Sequence, residues 1–279
     1  MASTIVDIRQ KSTRLRPAIP LTATLRAEWT KLMTVRSTYV LLALSLLLSV
    51  AVTALVSWAA GWSWSEWAEA DRAAFDPVIN SFVGLLLATV LLVALSVGFV
   101  TSEYTSGMVR LTLTTTPRRG RVLLAKAGVI AAVTMVAGVI ITVATFLTGQ
   151  AVFAAYDVPT ASLGDRDAAL AVLATGLTTA VYPVIGVAIG YLLRRTAAAI
   201  TVTLLLMFAP AFFGPLLPLR WQERVLAYLP GPATDSLAFG HLATDAPMYL
   251  ERGIAAVVVA AWLVALLGAA YLVLNRRDV

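Results

Sequence analysis

Ionisable side chains are scarce in this sequence, and their positions limit the chemistry that the chain can perform. A metal site or a serine–histidine pair needs several convergent partners, whereas the chain has one histidine, His241, and no cysteine. The phosphate-cradling pattern GxxxxGK[ST] does not occur. We therefore expect a protein that is not itself an enzyme and that binds no cofactor of its own.

Glu103 is the carboxylate best placed for a mechanical role. It directly follows a long uncharged run and opens a basic segment. We expect it to pair with Lys31 or Arg36 and to hold two cytoplasmic elements together, because ion pairs in low dielectric are strongly coupled. The alternative is a solvated carboxylate at the membrane boundary.

The rest of the sequence indicates which elements position these residues. The 279-residue chain is 59% hydrophobic and 13% charged, whereas soluble domains are roughly 45–50% apolar and about 25% charged. Six uncharged runs of 23 to 30 residues are each long enough to span a bilayer. They predict an all-α polytopic membrane protein, with spans at about 38–60, 78–101, 127–150, 168–192, 196–217 and 253–275. We expect Pro210, Pro215 and Pro218 to end or kink the fifth span early, and the GxxxG pattern of Gly186 and Gly190 to allow close approach of another helix.

The charges between the runs predict the orientation. Alternate connections divide into one set with a net charge of +12 and another with −6. Because basic loops remain cytoplasmic, we expect both termini in the cytoplasm of a bacterial cell and the chain in the plasma membrane. The basic residues therefore follow a topology rule and require no nucleic-acid partner.

Three regions outside the runs have distinct expected roles. Residues 1–20 are expected to form a disordered basic tail, followed by a single transmembrane domain over 21–279. Leu21–Arg36 predicts an amphipathic helix along the cytoplasmic interface, the alternative being an ordinary positive flank. Its expected interfacial residues are Leu25, Trp29, Lys31, Leu32 and Arg36.

Two loops are longer than simple connections require. The 103–126 loop is expected to dock a cytoplasmic partner, with an ordinary charged loop as the alternative. The 220–252 loop contains apolar pieces too short to span, which are typical of re-entrant or interfacial segments. It could cap the outer mouth of a pathway or lie in the interface without a gating role.

The order of these elements resembles the type-2 permease family of ATP-binding-cassette (ABC) transporters. RAEWTKLMTVRST at 26–38 is similar to the entry helix of actinobacterial members, and EYTSGMVRLTLTTTPRRGRVLLAK at 103–126 is similar to the family's central loop. IGVAIGYLLRRTAAAI at 185–200 and WQERVLAYLP at 221–230 resemble later segments.

The resemblance implies a function and a set of site residues. Two permease subunits, either identical or paralogous, would form the path, and separate ATPase subunits would bind ATP and Mg²⁺ beneath them. The implied ATPase-coupling residues are Glu103, Gly107, Arg110, Leu111, Leu113, Pro117, Arg118 and Arg119. Glu103 takes the place of the loop's acid and Gly107 that of a tight packing point, and a re-entrant outer gate between spans 5 and 6 would use Tyr228, Leu229 and Pro230.

We therefore expect an exporter subunit for an amphipathic or lipid-like substrate, such as a drug or antibiotic. No charged residue lies within the six runs, and such residues usually mark an ion path, so the energy source is expected outside this chain. An ion-coupled carrier and a non-transporting membrane scaffold remain the alternatives. An intramembrane enzyme would need a buried nucleophile and base, for which the sequence offers no convincing pair.

Overall fold

The computed structural model describes residues 20–108, 119–239 and 248–276, and these residues form helices without any strand. Six helical segments of these residues are long and apolar enough to cross a membrane, as the uncharged runs predict, and the fourth, Arg166–Leu193, combines two shorter helices. The helices are α1 (Leu21–Thr34), α2 (Arg36–Ser63), α3 (Glu69–Ala73), α4 (Pro77–Asn80), α5 (Leu85–Thr105), α6 (Arg119–Ala155), α7 (Arg166–Thr178), α8 (Val181–Leu193), α9 (Thr196–Phe213), α10 (Leu219–Arg224), α11 (Pro230–Phe239) and α12 (Arg252–Arg276).

Two spans differ from their predicted bounds. The second begins at Leu85 rather than near residue 78, because Asp76 caps the separate short helix α4. Its Oδ1 accepts hydrogen bonds from the backbone N–H groups of Val78 and Ile79 at 2.7 and 3.0 Å. The third span begins earlier, at Arg119 rather than near residue 127, so that Lys126 lies within the helix.

A sharp corner joins α1 to the first span. α1 ends because Val35 adopts an extended conformation, and α2 starts at the next residue. The Thr38 hydroxyl donates to the Leu32 carbonyl at 2.8 Å, and the Tyr39 hydroxyl donates to the Met33 carbonyl at 2.9 Å. These bonds satisfy carbonyls that the end of α1 leaves without helical partners, so the corner is fixed.

The first span, α2, turns its polar side inward. Its buried residues are small and recur every four positions near the centre: Ser45, Ser49, Thr53, Ser57 and Gly61. This stripe packs against α5 and α6, while large apolar side chains point outward. Without an aqueous driving force, small residues let membrane helices approach closely.

α8 lies at the centre of the bundle, and every residue from Val181 to Tyr191 is buried. A turn at Thr179 and Ala180 separates it from α7, close to Pro183, which cannot donate a helical hydrogen bond. The predicted close contact of Gly186 and Gly190 is confirmed. Added Cβ atoms there would lie 2.7 Å from Ser96 Oγ and 3.2 Å from Val100 Cβ.

The fifth span ends early, as its prolines predict. α9 stops at Phe213, three residues after Pro210, and continues as a short 3₁₀ turn at Gly214–Leu216. In the connection to α12, α11 packs against α7, α9 and α12. This short helix is therefore integrated into the bundle.

Backbone contact between α6 and α7 generates a first prediction. A Cβ on Gly176 would lie 2.7 Å from Val139 Cα, and backbone atoms cannot move aside cheaply. We expect Gly176→Ala to destabilise the protein by about 1–3 kcal/mol through overpacking. Thermal unfolding in lipid nanodiscs measures this loss.

Gly98→Ala is the matched control, because nothing lies within 4 Å of its added Cβ. It should be neutral or slightly stabilising, since alanine is the better helix former. Equal unfolding temperatures for the two variants would contradict close α6–α7 packing.

Candidate functional site

Four charged side chains from three helices converge at one end of the bundle. Glu28 and Lys31 come from α1, Glu103 from the last turn of α5, and Lys126 from the second turn of α6. Their formal charges cancel. We call these four residues the charge cluster.

Each lysine of the charge cluster contacts both carboxylates. Lys126 Nζ lies 2.7 Å from Glu28 Oε2 and 3.0 Å from Glu103 Oε1. Lys31 Nζ lies 2.6 Å from Glu28 Oε1 and 3.0 Å from the same Glu103 oxygen. The four contacts form a closed ring, so α1 is bonded to both α5 and α6.

Three of the four charged residues in this ring are buried. Lys126 is 0% exposed, Glu28 1% and Glu103 6%, whereas Lys31 is more open. Lys126 Nζ also lies 3.7 Å from the centroid of the Phe99 ring, a cation–π contact. Because a buried ion loses several kcal/mol of hydration, each of these charges depends on its partners.

The spacing of residues along α1 explains how Glu28 and Lys31 reach the charge cluster. Thr24, Glu28 and Leu32 recur every four residues and form the buried face of α1, which packs against α6. Lys31 follows Glu28 by three positions and so lies beside it on the helix surface. Burial lowers the pKa of Lys31, but its hydrogen bond to Glu28 and the negative charges of Glu28 and Glu103 outweigh that effect and raise the pKa.

The turn between α8 and α9 reaches the same end of the bundle. Arg194, in a left-handed conformation, places its guanidinium 5.2 Å from the centroid of the Tyr104 ring. Tyr104 in turn meets Tyr191 edge to face, with centroids 6.2 Å apart. The hydroxyls of Thr101 and Thr196 lie 2.8 Å apart. Aromatic and hydroxyl contacts thus join the α8–α9 turn to α5.

The predicted pairing of Glu103 with Lys31 is confirmed, whereas Arg36 is not among its partners. Sequence reasoning missed Glu28 and Lys126 as partners of this pair. The spacing of Glu28 to Lys31 in the sequence could have indicated the first of them. Lys126 was assigned to the end of a loop, although a helix beginning at Arg119 carries it into the core.

The expected interfacial residues of α1 differ in their burial within the protein. Leu32 is buried, Leu25 is partly buried and Trp29 is 47% exposed, and the interfacial placement of the helix stays a prediction. The buried face also includes Thr24 and Glu28, because the charge cluster draws that side of α1 against the bundle.

Besides Glu103, two of the expected coupling residues are among those that the structure describes. Around Gly107, no atom of the described residues lies within 4 Å of an added Cβ, and its expected role as a tight packing point stays a prediction. Its φ of +72° shows why glycine suits a left-handed turn after α5. Arg119 begins α6, and its guanidinium donates to the Leu274 carbonyl of α12. The expected coupling residues Arg110, Leu111, Leu113, Pro117 and Arg118 lie outside the described residues.

The three expected gate residues lie where α11 begins. Pro230 starts α11 and is buried, Leu229 is half-buried, and Tyr228 is exposed. The backbone carbonyl of Tyr228 accepts a 2.8 Å hydrogen bond from the Trp262 indole of α12. The entry to α11 is therefore held against the last span.

The sequence profile of a family described as protein of unknown function, DUF2705, matches residues 72–279. The chain belongs to this family. The matched region includes Glu103 and Lys126 but not α1, which supplies Glu28 and Lys31. A comparison with curated proteins found no match. Within the described ranges, no three His, Cys, Asp or Glu residues are grouped to hold a metal ion.

Mutual dependence within the charge cluster generates a second prediction. Lys126→Met should destabilise the protein by about 3–5 kcal/mol, because it leaves buried carboxylates without their partner. Glu103→Gln should cost less in the Lys126→Met background than in the wild type, giving a coupling of about 0.5–3 kcal/mol. Unfolding of the four proteins of this double-mutant cycle in nanodiscs measures the coupling.

Arg36→Met provides the matched control, since it removes a neighbouring basic residue that is not among the Glu103 partners. It should show no coupling to Glu103→Gln. Strictly additive effects of Glu103→Gln and Lys126→Met would reject a mutually dependent cluster.

Proposed function

We propose that this DUF2705 member is the membrane-spanning permease subunit of an ATP-driven exporter, with ATP hydrolysed by a separate subunit. The observation that carries the proposal is the charge cluster. It ties α1 to the helix before the 106–118 segment and to the helix after it. A force applied to that segment therefore acts on three helices at once.

The position of the cluster supports a coupling role. Glu103 lies three residues before the segment begins, and Lys126 lies in the second turn of the helix that follows it. α1 continues into the first span through the fixed corner at Val35. An ATPase that docks against 106–118 would thus move α1, the first span, α5 and α6 as one connected unit.

Charge distribution supports the orientation required for docking. The charge cluster lies at the bundle end that carries the basic connections, which face the cytoplasm under the positive-inside rule. In this orientation, cytoplasmic ATPase subunits reach the 106–118 segment. α11 then lies toward the outer face, where it forms a re-entrant gate against α7, α9 and α12.

Exposed apolar faces support assembly with a second permease subunit in the bilayer. Few residues are buried in the spans formed by α2, α9 and α12. Large apolar side chains cover their outer surfaces, including Leu47, Leu55, Leu205, Phe212, Val257 and Val264. A second copy or a paralogue packed on part of this surface would enclose a path between subunits, and lipid would cover the rest.

One observation favours an ion-coupled carrier as the second candidate. Asp235 of α11 is an acidic residue that faces a cavity within the bundle. A proton-coupled carrier would lose transport when the proton gradient collapses and would keep it when ATP is depleted. An ATP-driven exporter would keep transport when the proton gradient collapses and would lose it when ATP is depleted.

Co-purification from the native host gives the third prediction. We expect an ATPase subunit to co-elute in near-stoichiometric amount in a mild detergent and to be identified by mass spectrometry. Leu111→Asp combined with Leu113→Asp should abolish this association and the stimulated ATPase activity, because carboxylates disfavour an apolar docking contact.

Leu111→Ile combined with Leu113→Ile is the matched control, since it keeps both side chains apolar and should retain the ATPase. All variants are first checked for membrane insertion. A clean preparation without any ATPase under several mild conditions would overturn the proposed function.

A further inference from the structure

We propose that a cavity between α5, α7, α8 and α11 binds an amphipathic organic cation, with Asp235 as its counter-ion. This inference deepens the proposed function by naming a substrate class, and it rests on that function only for the step from binding to transport. The cavity has a volume of about 430 Å³. Small-molecule sites commonly occupy roughly 300–1,000 Å³.

The polar lining of the cavity contains one carboxylate and several hydroxyls. Asp235 and Thr234 come from α11, and Tyr182 comes from α8. The other polar residues of this lining are Thr175 and Thr178 of α7, Thr179 in the turn that follows, Thr89 of α5 and Asn80 of α4. These side chains converge from separate elements on one space, as expected of a binding site rather than of a solvated loop.

Two of these hydroxyls are buried without partners. Tyr182 is 6% exposed and Thr175 is 4% exposed, and neither hydroxyl has a hydrogen-bond partner within the described residues. Buried polar groups are normally hydrogen-bonded, and leaving one unpaired costs about 1–3 kcal/mol. A ligand with a polar head beside Asp235 would provide the missing partners, directly or through water.

The charge of the residues that line the cavity favours a cationic ligand. No lysine, arginine or histidine of the described ranges lines the cavity, and within those ranges Asp235 forms no ion pair. Asp235 lines the cavity and is exposed there, so a ligand can reach its carboxylate without a rearrangement of the helices. A cation would be attracted to this carboxylate, and an anion of the same shape would be repelled.

The rest of the lining is apolar and aromatic. The rings of Phe82 and Phe239 lie with centroids 5.8 Å apart, and Ile79, Leu86 and Met207 are among the aliphatic residues. Phenyl faces attract organic cations through their quadrupoles, and the aliphatic side chains receive an apolar body. The cavity therefore suits a lipophilic cation rather than a hydrated metal ion.

Tetraphenylphosphonium and tetraphenylborate provide the test, because they share one shape and carry opposite charges. Binding to the purified full-length chain in nanodiscs is measured at pH 7.5 and corrected with empty nanodiscs. We expect saturable binding of tetraphenylphosphonium and no saturable binding of tetraphenylborate. Saturable binding of both, or of neither, would overturn the proposal.

Variants test the role of the carboxylate. Asp235→Asn should weaken tetraphenylphosphonium binding by at least about tenfold, because the counter-ion is lost. Glu223→Gln is the matched control, since it removes an exposed acid of α10 that does not line the cavity, and it should bind as the wild type does. Equal affinities of the two variants would overturn the role of Asp235. If Asp235→Asn does not fold, the proposal is tested by comparing the binding of tetraphenylphosphonium and tetraphenylborate to the wild-type chain.

The outcome is independent of the ATPase. Binding of the cation by a chain that co-elutes with no ATPase would support this cavity and overturn the proposed function. An ATPase that co-elutes with a chain unable to bind the cation would support the function and overturn the cavity as its cation site.

Discussion

The burial of three charges, Glu28, Glu103 and Lys126, whose pairing Lys31 completes, is the constraint on which this architecture depends. Removing an ion from water costs several kcal/mol, and attraction within a protein offsets that cost only when every partner is in place. Lys126 and Glu28 are completely or almost completely buried, and they belong to different helices. Arrangements of α1, α5 and α6 that separate these charges are therefore disfavoured. Such a ring favours a unique geometry more than it favours overall stability.

Charged residues have different surroundings at the two ends of the bundle. At the end with the charge cluster, each lysine lies between two carboxylates, and the cation of Arg194 lies against an aromatic ring. At the other end, Asp235 faces an open cavity without an ion pair within the described part of the chain. A closed ring of charges is suited to transmitting movement, whereas an uncompensated carboxylate is suited to binding. This contrast fits a subunit that is driven from one side and meets its cargo near the other.

Hydropathy alone predicted the six spans, because the bilayer imposes a length and an apolar composition that can be read residue by residue. Proline positions likewise predicted the early end of α9, and Gly186 and Gly190 predicted a close helix contact, which the structure shows to be with α5. Lys126 was missed because a lysine next to an apolar run normally marks the end of a span. Its burial depends on Glu28 and Glu103, which are distant in sequence. No local sequence pattern indicates that these three side chains are in contact in the fold. Asp235 was missed for the same reason, since its cavity is formed by helices from four parts of the chain.

We infer that the charge cluster holds α1 rigidly against the bundle, and a distance measurement tests this most directly. The chain has no cysteine, so spin labels at Ala27→Cys on α1 and Ala197→Cys on α9 can be introduced without background labelling. Both positions are exposed. Double electron–electron resonance in nanodiscs should give a narrow distance distribution in the otherwise wild-type chain and a broad one after Lys126→Met. Equally narrow distributions in both proteins would show that α1 is held by other contacts and would contradict the account.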